Sequence, residues 1–229
     1  MNKLILFDID GTLFEKESAL HKMAFSAAFK KIFGIDTTID IIDHPGKTDK
    51  QIVVEVLKKK GLEESDVRGK MEEITKEMIS FFEERAGKER ITLLEGVKEL
   101  LDELKSKNIL MGLVTGNLER IARAKLKKGD INDYFKLGGF GSDGERRADL
   151  IRIAIKKAED SFDFKFNNNV FLVGDTQRDI EAGKEAGIKT IGVETGAYSE
   201  EQLKETGADF VFKNLKNKNK ILELIQKNE

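Results

Sequence analysis

Short apolar runs alternate with longer amphipathic stretches along most of the chain. Residues 4–7 (LILF), 109–114 (ILMGLV) and 170–173 (VFLV) are apolar throughout, and less uniform candidates stand at 136–140, 190–193 and 210–212. Runs of this kind suit strands buried on both faces. Between most of them, and after the last, the apolar positions return at helical spacing: at 97–104, up to about 128, at 147–159, up to 186 and at 220–226. Strands separated by helices need crossover connections and therefore predict a parallel sheet, here a Rossmann-like α/β core.

Residues 15–90 break this rhythm. From 18 to 33, Ala19, Met23, Ala27 and Phe29 recur at helical spacing until Gly34 stops them. A second helix is predicted over 49–60 and a single longer one over 65–85, with Val67, Met71, Ile74, Met78 and Phe82 along one stripe. No strand is predicted in this stretch. The expected organisation is a core domain of residues 1–14 and 91–229, with 15–90 inserted as an all-helical domain.

Three polar clusters, at 8–12, 115–117 and 175–179, each follow an apolar strand. In open parallel sheets ligands bind outside the carboxyl ends of the strands, so the topology brings these distant groups to one edge. Asp8 and Asp10 can reach a common site if the chain turns at Gly11, which has the freedom to do so. Carboxylates gathered in one place repel and call for a cation. With Asp175 added, the oxygen-rich set suits Mg²⁺. The chain has no cysteine and only two histidines, so a zinc site is not expected. His21 is read as a surface or packing residue.

Charge narrows the partners. Forty basic residues face 42 acidic ones, a net −2, which gives no general attraction to nucleic acid or an anionic membrane. No stretch approaches the ~20 apolar residues of a membrane span, and two aspartates interrupt the N-terminal apolar run too early for a signal peptide. A cytoplasmic protein is expected. Nothing in the sequence reports oligomeric state.

The motifs DIDGT (8–12), Thr115-Gly116 and GDTQRD (174–179), in that order, resemble those of the haloacid dehalogenase superfamily. The helical insert resembles its first type of cap domain, and the whole is similar to the phosphoglycolate phosphatase and β-phosphoglucomutase branches. The resemblance implies a phosphatase acting on a small phosphorylated metabolite, such as phosphoglycolate or a sugar phosphate. Asp8 would be the nucleophile that forms an aspartyl-phosphate, and Asp10 the acid/base. Mg²⁺ would be held by the side chains of Asp8 and Asp175 and the backbone carbonyl of Asp10, with Asp179 orienting from behind. Thr115, Gly116 and Asn117 would hold phosphoryl oxygens, and the loop HPGKTD (44–49) would offer Gly46 and Lys47 to the substrate. True dehalogenases lack an acid two residues after the nucleophile. A halide leaves without a proton and an alkoxide does not, so Asp10 argues for phosphate chemistry.

One position departs from the family pattern. The superfamily normally carries a lysine before the helix that follows the third strand, whereas this chain reads GSDGERRADL at 141–150. Arg147 is the first candidate for that role and Arg146 the second, because a planar guanidinium can clamp both a carboxylate and a phosphate oxygen. Plainer readings stand beside these. Asn117 can be a helix N-cap, Thr176-x-x-Asp179 is a capping pattern, Lys47 can be solvated, and Ser199-Glu200-Glu201-Gln202 is a capping box without chemistry. The basic stretch 213–220 reads as a solvated turn. A phosphomutase using the same two aspartates is the alternative function, and a catalytically silent binding module is a more distant one.

Overall fold

The structure is a computed structural model that describes residues 3–15 and 18–227. Residues 16 and 17, at the start of the expected insert, and the ends of the expected core, 1–2 and 228–229, lie outside the described residues. Six parallel strands form one sheet: β1 (Leu4–Phe7), β2 (Leu110–Thr115), β3 (Leu137–Phe140), β4 (Val170–Gly174), β5 (Lys189–Val193) and β6 (Phe210–Phe212), in the order β3-β2-β1-β4-β5-β6. That order is the doubly wound one, with its switch point between β1 and β4.

The strands read as apolar runs because helices cover both faces. On one side Ile5, Phe7, Met111, Leu113, Phe171 and Val173 pack against α5 (Val97–Ser106), α6 (Glu119–Lys128) and α10 (Lys218–Lys227). On the other, Leu4, Leu6, Leu110, Val114, Val170 and Leu172 meet α7 (Arg147–Ser161) and α8 (Gln177–Glu185). Successive residues of a strand point to opposite faces, so every residue of β1 is buried. A short helix, α9 (Glu200–Glu205), begins at Ser199 with the capping box expected there.

Between β1 and α5 the chain forms α1 (Ala19–Phe33), α2 (Asp49–Lys59), α3 (Glu64–Gly69) and α4 (Met71–Arg85). Ser18 caps α1 and Gly34, at φ 70°, ends it. Phe25, Phe29, Val53, Leu57, Ile74, Met78 and Phe82 build a second core, which also takes in Leu118 and Ile121 from the start of α6. The helical block thus packs on the core through α6. The single helix expected over 65–85 is two helices that meet at Lys70, whose φ of −107° and ψ of 10° leave the helical range. Gly69 favours the break, since glycine is a poor helix former, and the bend lets Val67 and Ile74 reach the same core. Among the described residues no helix is long and apolar enough to cross a membrane.

Because β1 lies at the centre of the sheet and carries Asp8 on its end, Leu6→Ala is expected to cost about 2–5 kcal/mol through the cavity it leaves. Urea denaturation measures this directly.

Candidate active site

Asp8 continues β1, its N–H donating to the Val173 carbonyl at 2.9 Å. Phe7 pairs with both Leu113 and Val173, so Asp8, Thr115 and Asp175 stand at nearly the same level of three adjacent strands. The chain then turns, with Leu13 N–H on the Ile9 carbonyl at 2.9 Å and Gly11 at φ 83°. A side chain at Gly11 would begin 2.4 Å from Asp175 Oδ2, so only glycine lets the turn lie against that carboxylate. Thr12 Oγ1 donates to Asp175 Oδ1 at 3.0 Å and fixes it.

Asp8, Asp175 and Asp179 each offer an oxygen within 4.8 Å of the others, and all three are buried. Arg147, at the N-terminus of α7, enters this cluster with Nη2 2.6 Å from Asp8 Oδ1 and Nε 2.7 Å from Asp179 Oδ1. The second contact is close but the N–H is not aimed at the oxygen, so it acts as an ion pair. Asp179 also completes the capping box that Thr176 begins at the start of α8, its Oδ2 accepting from Thr176 N at 3.1 Å and from Thr176 Oγ1 at 2.6 Å. Arg146, the second candidate, is exposed and pairs with Glu185, an arrangement worth little.

Among the described residues one guanidinium stands against three buried carboxylates, which leaves them short of positive charge. Burial raises Asp8 to about 7, with Arg147 pulling it down and Asp179 and Asp10 adding to the rise. Asp175 is raised well above the usual range, first by burial and then by Asp8 and Asp179. Burial opposes the charge on Arg147, but Asp179 and Asp8 outweigh it and hold the guanidinium protonated. Hard oxygen donors with too little positive charge among them are what a divalent cation fits.

Asp10 lies in different surroundings. Its carboxylate is outside the acidic trio and receives Lys125 Nζ, at 2.9 Å from Oδ1 and 2.7 Å from Oδ2, together with Asn117 Nδ2 at 3.0 Å. Asn117 is not the cap of α6; Leu118 holds that position, and the amide joins Thr115 to Asp10 instead. Thr115, fully buried at the end of β2, accepts from Asn117 Nδ2 at 3.0 Å. Gly116 is needed for another reason. A Cβ there would lie 2.2 Å from the Lys47 carbonyl, so the helical block's loop can rest on this turn only if it is glycine.

That loop closes the site from above. Asp49 N–H donates to the Gly116 carbonyl at 2.8 Å, Arg147 Nη1 to the Gly46 carbonyl at 3.2 Å, and Arg178 Nη2 to Asp43 at 2.9 Å. A cavity of about 390 Å³ remains between the loop and the strand ends, lined by Asp8, Asp10, His21, Gly46, Thr115 and Arg147 among others. Lys47 lines it too, but its ammonium is bound to Glu55 on α2. His21 is not a surface residue: it is buried, stacked on Phe25 and bonded to Asp49 and Lys125.

A family model described as haloacid dehalogenase-like hydrolase matches residues 5–193. The chain is 26% identical over 223 residues to a phosphoglycolate phosphatase of Vibrio parahaemolyticus, covering 97% of this chain and 96% of that protein. A phosphorylated carbohydrates phosphatase of Thermotoga maritima is 26% identical over 89% of this chain and 91% of its own length. Among solved structures, a putative β-phosphoglucomutase from Bacteroides vulgatus superposes with a TM-score of 0.68 at 24% identity, covering 99% of this chain and 89% of that one.

The raised carboxylates set a pH dependence. A folded-state value above the unfolded one means that the folded protein keeps a proton which the unfolded chain has already released. The stabilisation is therefore complete below about pH 4 and is lost as pH rises through about 7 for Asp8. In EDTA, the melting temperature is expected to fall between about pH 5 and pH 8, and millimolar Mg²⁺ to raise it more at the higher pH. Arg147→Met, which removes a cation already in the cluster, is expected to deepen the fall in EDTA.

Proposed function

The chain belongs to the haloacid dehalogenase-like hydrolase family, and from that premise we propose that it is a Mg²⁺-dependent phosphatase of small phosphorylated metabolites. It is a phosphoric monoester hydrolase, and phosphoglycolate-like or sugar phosphates are the substrate class that its named relatives favour. The observation that carries this reading is the division of labour between two aspartates at the end of one strand. Asp8 sits in the acidic cluster with Arg147, and Asp10 sits two residues on against Lys125 and Asn117. Two carboxylates in contrasting environments take different roles in one reaction.

In this reading Asp8 attacks the phosphorus, the bond to the ester oxygen breaks, and Asp10 gives that oxygen a proton. Water then attacks the aspartyl-phosphate and Asp10 takes its proton. The bond from phosphorus to Asp8 breaks, releasing inorganic phosphate and restoring both carboxylates. Arg147 keeps Asp8 aligned and stands ready to receive a phosphoryl oxygen, as does Thr115 with the backbone N–H groups of Gly116 and Asn117. Asp8, Asp175 and the Asp10 carbonyl would hold Mg²⁺, with Asp179 behind them. When bound, the ion supplies the positive charge that allows one anion to approach another.

The helical block (15–90) acts as a cap over this centre. The contacts of Asp49, Gly46 and Arg178 across the site support that role, as does the confined cavity, which suits small substrates. A cytoplasmic setting accompanies such substrates.

A panel of phosphorylated metabolites assayed for phosphate release with Mg²⁺ tests the proposal. Asp8→Asn is expected to lose essentially all turnover while remaining folded. Asp10→Asn is expected to lose about 100-fold or more on phenyl phosphate and far less on 4-nitrophenyl phosphate, whose leaving group needs little protonation. A wild-type protein that releases no phosphate from any ester overturns the reading.

A further inference from the structure

Lys125 lies on the buried stripe of α6, in line with Ile121, Ala122 and Leu126, and is only 1% exposed. Lysine is almost never enclosed to this degree unless its charge is met. Here it is met completely. An ammonium has three donors and no acceptor. They reach the Asp10 carboxylate at 2.9 and 2.7 Å, Asn117 Oδ1 at 2.7 Å and His21 Nδ1 at 3.2 Å.

This arrangement fixes the orientation of its neighbours. Since Lys125 can only donate, His21 Nδ1 accepts, so the ring proton is on Nε2 and is given to Asp49 Oδ2 at 3.1 Å. The same Asp49 oxygen accepts the Leu118 N–H at 2.8 Å. Asn117 must turn Oδ1 to the lysine, and its Nδ2 then donates to Asp10 Oδ2 and Thr115 Oγ1, both at 3.0 Å. Asp10 Oδ2 therefore takes donors from both Lys125 and Asn117, and Oδ1 takes one from Lys125 alone, so the carboxylate is held in one orientation. His21 and Asp49 both belong to the helical block, so the anchor is complete only when that block is docked.

We infer that Lys125 is a positioning residue for Asp10, fixing the carboxylate that serves the leaving group and tying its placement to the docked helical block through His21. The inference rests on the phosphatase reading and adds to it a residue on α6, outside the strand-end motifs. It is not a stabilising pair of the surface kind, because the lysine is enclosed and every donor is used.

The test compares phenyl phosphate with 4-nitrophenyl phosphate in the full-length wild type, Lys125→Met and His21→Phe, with folding checked by circular dichroism. If Lys125 positions the acid, Lys125→Met loses about 100-fold in kcat on phenyl phosphate but stays within about threefold on 4-nitrophenyl phosphate, and His21→Phe moves the same way by less. Equal losses on both esters, or no loss on either, overturn the inference. Should Lys125→Met fail to fold, Lys125→Gln carries the same comparison, with a smaller selective loss expected because it keeps one donor. Wild-type release of phosphate together with a selective loss in Asp10→Asn upholds the phosphatase reading whatever Lys125 shows, so the two ideas fail separately.

Discussion

Negative charge confined to one edge of a sheet is the constraint around which this protein is organised. Asp8, Asp175 and Asp179 bring one oxygen each within 4.8 Å of the others and away from water, and among the described residues Arg147 is the cation that enters the cluster. Burial raises both Asp8 and Asp175, and Asp179 raises each of them further. A protein arranged for stability alone would not assemble such a cluster, because burying charge is costly unless it is paired. The cluster persists because the central strands hold the backbone in place and Thr12, Thr176 and Arg147 each meet one oxygen of a different carboxylate.

The same economy of charge explains the substitution of arginine for the expected lysine. Arg147 reaches two carboxylates and two backbone carbonyls from one planar group, spanning the cluster from Asp8 to Asp179 and touching the loop at Gly46. A single ammonium has no comparable reach. Lysine is not missing from the site, however. It appears on the opposite side, as Lys125 on α6, where a compact charge faces Asp10, Asn117 and His21. The two aspartates of one turn thereby meet two kinds of cation, and their environments diverge within three residues of chain.

The helical block contributes through close approach of backbones. Gly116 lets the 46–49 loop rest directly on the turn after β2, and Asp49 uses both its N–H and its carboxylate there. Several contacts that complete the site therefore cross between the block and the core. Lys47, conspicuous in the sequence, takes part mainly through its backbone, since Glu55, nearly two turns into α2, holds its ammonium.

Much of the fold and site follows from the sequence, because strand burial and strand-end turns are local properties. LILF buried on both faces, followed by an Asp-x-Asp-Gly turn, could be assigned to a parallel sheet, and GDTQRD to the end of another of its strands, from periodicity and turn chemistry alone. Three features were decided only by tertiary structure. The break at Lys70 depends on where Val67 and Ile74 find a shared core. The choice of Arg147 over Arg146 depends on which side of the first turn of α7 faces the cluster. Lys125 is one of several basic residues in ERIARAKLKK, and its one local sign was its place on the apolar stripe with Leu118, Ile121, Ala122 and Leu126. Local sequence states which residues can carry charge, but the cost of burying that charge, and the partners that offset it, come from chain segments a hundred residues away.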